Sequence, residues 1–248
     1  MKISATVITL NEEQNLARAL VSLSCCDEIV VVDSGSQDRT VEIAEQHGAR
    51  VVVREFQGYA DQKNFAAQSA QHDWILALDA DEEISRALDR ELRALKEHGP
   101  KADAYSFPRK ARYLGRWIGH SGWYPDRKVR LYNRRKGRWA GDYVHESVKV
   151  LGTVGRLQGD LLHYTCDDFS GHIQTLNRYT SLAAQEMAVR GEHVGWSRLL
   201  LSPPWAFFRT YFLKSGFLDG WHGFVIASMA AFYVFARNLK ARSLKSSR

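Results

Sequence analysis

Four short apolar runs, each followed by a segment long enough for a helix, constrain this chain more than any other feature. They are ISATVITL (3–10), EIVVVD (28–33), ARVVV (49–53) and WILALD (74–79). Runs this continuously apolar belong to strands buried on both faces, as in a parallel sheet covered by helices. Helical periods fill the intervals. Asn11 stands as a helix cap before Leu16, Ala19, Leu20 and Leu23; Ser36 to His47 ends at Gly48; Asp61 to Gln71 follows. Such alternation predicts a doubly wound, mostly parallel α/β sheet that binds its ligand at the carboxyl ends of the strands.

The stretch WILALDADEE (74–83) sets a hydrophobic strand against Asp79, Asp81, Glu82 and Glu83. Unpaired buried carboxylates are costly and repel one another, so these acids must leave the core. Asp33 ends the second run, Asp79 ends the fourth, and Asn11 and Glu12 follow the first. All should gather on one sheet edge. Asp79 and Asp81 there can bring two carboxylates to one cation, and oxygen ligands suit Mg²⁺ or Mn²⁺; equally, they can be solvated loop acids ahead of the next helix. In VVDSGSQD (31–38), Gly35 permits a tight turn and Ser36 or Asp38 can serve a helix N-terminus. Asp33 then either belongs to a capped turn or accepts hydrogen bonds from a nucleoside.

A chain of 248 residues with 45% hydrophobic and 25% charged residues can bury a real core. Cys25, Cys26 and Cys166 form no disulfide or metal framework and favour reduced thiols in a cytoplasmic setting. The N-terminal MKISATVITLNEE meets acids too soon for a secretory signal and is expected to be the first strand. Ser85 caps a further helix to His98, stopped by Gly99-Pro100. Short strands and loops are expected over 103–164, and a helix from His172 to Arg190.

The net charge of +6 is uneven: eleven basic residues lie between Arg109 and Arg138 against one acid, Asp126. Interleaved with Tyr113, Trp117, Trp123, Tyr124 and Trp139, they can stack on bases and bind phosphates, or stack on sugar faces and grip a phosphorylated glycolipid.

TLNEE (9–13), VVDSGSQD (31–38), QKNFA (62–66) and LDADEE (78–83), in this order and spacing, resemble the family 2 glycosyltransferases of the GT-A fold over roughly residues 1–110. RKVRLYNRRKGRW (127–139), YVHESV (143–148) and GFLDGWHGF (216–224) resemble the bacterial subgroup that glucosylates the lipopolysaccharide inner core. The resemblance implies a donor site of Thr9, Asn11, Glu12, Asp33, Lys63, Asn64 and Asp79, with Asp79 and Asp81 holding Mg²⁺ or Mn²⁺ and Asp81 also catalytic. Ser34 stands where many relatives carry a second acid after Asp33. The implied reaction moves a hexose, glucose from UDP-glucose, onto an inner-core heptose, with a polyprenyl phosphate acceptor as the alternative. A non-enzymatic protein that binds anionic ligands is the reading from another class.

In such a reaction a divalent ion offsets charge on the departing diphosphate, and a base on the opposite sugar face takes the acceptor proton. Glu146 in VHES matches the acid of relatives, though it also reads as an exposed strand residue or an ion-pair partner of nearby arginines. Asp126 and His120 are the other candidates for the base, Asp126 more naturally as an ion-pair partner. Arg127, Arg130 and His145 are expected to bind acceptor or phosphate. The donor motifs favour a phosphorylated sugar acceptor over nucleic acid.

The uncharged GFVIASMAAFYVFA (223–236) falls short of the roughly 20 residues of a membrane span. With Trp221, Tyr233 and an acid-free basic tail it suits an anionic interface; it can also pack on the catalytic domain or a dimer partner. The expected layout is a nucleotide-sugar half (1–110), an acceptor half (111–170) and a helical, membrane-associating extension (171–248), peripheral at the cytoplasmic face of the inner membrane.

Overall fold

The computed structural model describes residues 1–141, 146–166 and 168–246. The chain forms two compact units: Met1–Arg109 with Asp126–His163, and Lys110–Pro125 with Tyr164–Arg248. This grouping interleaves the chain instead of following three consecutive segments.

The first unit opens with β1 (Ile3–Thr9), α1 (Leu16–Ser22), β2 (Glu28–Asp33), α2 (Thr40–Gln46), β3 (Arg50–Val53), α3 (Tyr59–Ser69) and β4 (Trp74–Asp79). Then come β5 (Glu82–Ile84), α4 (Arg86–His98) and β6 (Ala104–Tyr113). After β7 (Arg116–Trp117), which belongs to the second unit, follow β8 (Asp126–Asn133), β9 (Gly137–Ala140), β10 (Ser147–Val150), β11 (Val154–Arg156) and β12 (Leu161–Cys166). The main sheet runs β3-β2-β1-β4-β8-β6-β12-β5. Its first four strands are parallel, as the apolar runs predict. β8 is antiparallel to β4 and β6, and β5 to β12.

Burial follows the two-residue strand period. Val31, Leu76 and Leu78 join one core with Leu16, Leu20, Leu88 and Leu92; Val30, Val32, Ile75 and Ala77 join a second with Ala66, Tyr132 and Trp139. Adjacent residues of one strand thus enter opposite cores, and the sheet is covered on both faces.

Three local expectations change. Asn11 does not cap α1: it sits at φ 54°, and Asn15 takes the position before the helix. α2 starts at Thr40 instead of Ser36, because Asp33 accepts from the Gly35 and Ser36 N–H groups and Asp38 from that of Thr40, holding the intervening residues as turns. Glu82, expected to leave the core with its neighbours, is 1% exposed on strand β5. Ser85 does cap α4, accepting from the Leu88 N–H at 3.2 Å.

The second unit holds α5 (Phe169–Val189), α6 (Trp196–Phe208), a π-helical turn (Arg209–Leu213), a 3₁₀ turn (Gly216–Asp219) and α7 (Trp221–Ser246). Tyr113, Ile118 and Ile226 form one of its cores. The first turn of α7 presses onto the 3₁₀ turn so closely that a Cβ at Gly223 would stand 1.7 Å from the Gly216 carbonyl oxygen, so only glycine fits there.

Candidate active site

The parallel registers bring strand ends together: Thr9 pairs with Asp33 and Ile8 with Asp79. The loops beyond them are stitched to one another. The Asn11 N–H donates to Ser36 Oγ, Asn11 Oδ1 accepts from the Gln37 N–H, and the Glu12 N–H donates to Thr40 Oγ1. Asp33 is 1% exposed and accepts from Thr9 Oγ1, Ser36 Oγ and the Gly35 and Ser36 N–H groups. Those four bonds saturate its two oxygens. Asp33 therefore holds the turn.

Beside these loops lies a charged cluster drawn from α3, β4, β5, β6, β8 and the residue before β10. Asp79 receives Lys63 Nζ on Oδ1 at 2.8 Å and Arg130 Nη2 on Oδ2 at 2.7 Å. Lys63, from α3, also reaches Glu146 Oε1 at 3.2 Å and stands 4.4 Å from the centre of the Trp139 ring. Arg130 donates to Glu82 Oε1 at 2.8 Å, and Arg109 approaches the same oxygen at 3.6 Å. The β4–β8 register, pairing Leu76 with Leu131, sets Arg130 beside the end of β4. Burial alone would raise the Asp79 carboxyl, but the Arg130 and Lys63 cations outweigh it and hold the group far below the usual range. Burial likewise opposes the Arg130 charge, and Asp79 and Glu82 overcome it. Asp79, Arg109, Arg127, Arg130, Trp139 and Glu146 line a cavity of about 340 Å³.

Asp81, two residues after Asp79, has His163 Nε2 3.1 Å from its Oδ2. The antiparallel pairing of β12 with β5 puts His163 opposite Glu82. Glu12 feels the same acids: burial raises its pKa first, and the charges of Asp81, Asp38 and Asp79 add to the rise against the Asn15 amide.

The signature of glycosyl transferase family 2 matches residues 4–148. The chain belongs to that family. An uncharacterized glycosyltransferase of Rickettsia typhi is 32% identical over 255 residues, covering 98% of this chain and 87% of the relative. The lipopolysaccharide core biosynthesis glycosyltransferase LpsC of Rhizobium meliloti is 32% identical over 257 residues, covering 98% and 95%. The crystal structure of a mycobacterial protein shares the fold at 16% identity, with a TM-score of 0.50 over 77% of this chain and 75% of the other. The protein is a glycosyltransferase of the GT-A type.

For a metal in this glycosyltransferase, the residues fit a site completed by a ligand. Both Asp79 oxygens are engaged by cations, Lys63 on Oδ1 and Arg130 on Oδ2. Asp81 with His163 would supply one carboxylate and one imidazole. Among the described residues no three of His, Cys, Asp and Glu converge, so the protein alone forms no closed cage. Mg²⁺ and Mn²⁺ are commonly bound through one or two side chains with phosphate oxygens and water completing the shell.

The remaining expected residues separate by role. Asn64 bonds both the N–H and the carbonyl of Trp139 at 2.9 Å, so it clamps α3 to β9 and is not free to meet a nucleotide. Arg127 donates to the Leu157 carbonyl and to Gln158 Oε1; Arg130 is 4% exposed and uses Nη2 on Asp79 and Glu82, while its Nε and Nη1 have no hydrogen-bond partner among the described residues. Asp126 pairs with Arg109 and Lys128. In the second unit, His120 Nδ1 lies 3.2 Å from the buried Asp219. His145 lies outside the described residues. Sequence reasoning missed His163, Glu82 and Arg109 as site residues; His163 and Glu82 meet through the pairing of β12 with β5, which are distant in the chain, whereas Arg109 lies on β6, which pairs with the nearby β8.

Proposed function

We propose that this glycosyltransferase transfers a hexose with inversion from a nucleoside-diphosphate sugar, glucose from UDP-glucose, to a heptose of the lipopolysaccharide inner core. The cluster of Lys63, Asp79, Arg130 and Glu146 beside the Asp81–His163 pair carries the reading. It sets a cavity-lining carboxylate and fixed cations next to a pair of metal-ligating side chains. Similarity to LpsC along nearly the full length of both chains favours the acceptor class.

In this reading Glu146 accepts the acceptor hydroxyl proton, and Lys63 holds the Glu146 carboxylate in place while also fixing Asp79. Asp81 and His163 would hold a divalent ion, which when bound would offset the charge developing on the departing diphosphate. Trp139, 5% exposed, backs the Lys63 and Arg130 cations with its ring.

Incubation with radiolabelled UDP-glucose, Mn²⁺ and core lipid lacking its hexose tests the proposal. The product should carry one added glucose with the opposite anomeric configuration. Absence of transfer from every UDP-sugar tried would exclude the donor, and transfer to polyprenyl phosphate alone would exclude the acceptor. Calorimetry of UDP with Mn²⁺ should lose affinity in Asp81→Asn and His163→Ala, by about ten- to a hundredfold for removal of a metal-site group.

A further inference from the structure

We infer that the second unit docks on an anionic lipid bilayer through one aromatic face of α6, the π-helical turn and α7, lying in the plane of the interface without crossing it. The inference stands apart from the transfer chemistry. On α6 and the turn after it, Leu201, Trp205, Phe208 and Phe212 are 68, 57, 44 and 50% exposed at steps of three and four residues, so they share one helix face. On α7, Trp221 and Phe224, and then Phe232, Phe235 and Leu239, follow the same spacing, with a step of eight between the two groups, and all are exposed. Ring contacts connect the stripes: Trp205–Phe208 at 5.8 Å, Phe208–Phe212 at 5.2 Å, Phe212–Tyr211 at 5.1 Å and Tyr211–Phe224 at 6.0 Å. A continuous apolar surface of this size marks an interaction site.

Charge selects the partner. Between 193 and 246 the sequence holds one acid, Asp219, against Arg198, Arg209, Lys214, Arg237, Lys240, Arg242 and Lys245. Asp219 is 3% exposed and consumed by the N–H groups of Gly119 and His120 and by Ser121 Oγ. Arg209 and Lys214, flanking Phe212, make no ion pair among the described residues. Two copies meeting on this face would bring such cations together with no acid to neutralise them. Anionic headgroups supply the missing charge while the aromatic rings enter the boundary of the acyl chains.

Burial of its polar side explains why α7 lies in the plane. Trp221–Leu244 is long and apolar enough to cross a membrane. Its opposite face, however, is committed to α5: Lys240 Nζ donates to the Asn177 carbonyl, Asn177 Oδ1, Thr180 Oγ1 and Ser181 Oγ at 2.7–2.9 Å, and Asn238 is fully buried. Crossing would drag α5, with exposed Glu186 and Arg190, into hydrocarbon or strip Lys240 of its partners.

The test is flotation of the full chain with sealed vesicles of phosphatidylcholine alone or with about a third phosphatidylglycerol. The wild type should float with the anionic vesicles and much less with the neutral ones. Trp205→Ser/Phe212→Ser/Phe224→Ser, all at exposed positions, should keep its circular dichroism and melting curve yet partition about a hundredfold less. A C-terminal tag on vesicle-bound protein should stay open to added protease. The inference fails if folded wild type does not float with anionic vesicles, if the triple variant floats equally well, or if the tag is protected. It also fails if the three substitutions abolish self-association in a chain that shows no lipid binding.

Discussion

Glu12 carries a charge that the folded protein disfavours. Burial and then the carboxylates of Asp81, Asp38 and Asp79 raise its pKa above 4.5. The ionised side chain therefore costs stability at neutral pH, and the cost vanishes where Glu12 is protonated in both folded and unfolded states. Glu12→Gln keeps an acceptor for the Asn15 amide that now meets Oε2. It should melt higher than wild type at pH 7, with the gain closing below about pH 4; an equal gain at both would refute the electrostatic cause. Asp79 has the opposite sign. Its folded pKa lies below the ordinary 3.8, so its contribution is complete above that value and decays as pH falls further. Glu146 is tested by kinetics: Glu146→Gln should lower kcat by about a hundredfold or more, the span of a lost general base, while UDP binding persists. Retained turnover would move the base elsewhere.

At the scale of elements, the β4–β8 junction is where charge and core meet. Arg130 on β8 is 4% exposed and bridges Asp79 at the end of β4 to Glu82 at the start of β5. Arg130→Met leaves the buried Glu82 with no cation but the more distant Arg109, beside the Asp79 N–H that donates to its Oε2, so unfolding in denaturant should show a loss of about 3 kcal/mol. A loss under about 0.5 kcal/mol, the range of ordinary surface changes, would mean that the bridge contributes little. The same junction shows what the sequence discloses. β1 to β4 are legible because each strand and its following helix are contiguous, and apolar runs ending in Asp33 and Asp79 already imply one sheet edge. Arg130 reads only as one base among eleven, since its meaning depends on an antiparallel register with residues about fifty positions earlier. His163 is hidden for the same reason, its partner Asp81 lying 82 positions away. Asp33 differs: a carboxylate after a strand fits ligand binding and turn capping equally in the sequence, and the structure adds one bond from Thr9 on β1 and three from its own loop.

For the molecule as a whole, two sets of residues are separable by experiment. The charged cluster lies wholly in the first unit and the exposed aromatic stripes wholly in the second. If the stripes act only by bringing the protein to a lipid surface, their loss should change the local concentration of a membrane-embedded acceptor and nothing in the chemical step. The Trp205→Ser/Phe212→Ser/Phe224→Ser variant should therefore bind UDP with Mn²⁺ as wild type does and glycosylate a detergent-free, water-soluble core oligosaccharide at an unchanged kcat. Transfer to the same acceptor in anionic vesicles should fall in parallel with partitioning, by about a hundredfold at low lipid, and recover as lipid concentration rises. Raising ionic strength should reproduce part of that fall in the wild type, because the headgroup attraction is screened within about 10 Å at 0.1 M salt, and should leave the soluble reaction nearly unaffected. An equal drop with both acceptors would mean that the aromatic face supports the folded state or the chemical step itself, and the separation of surface attachment from catalysis would be lost.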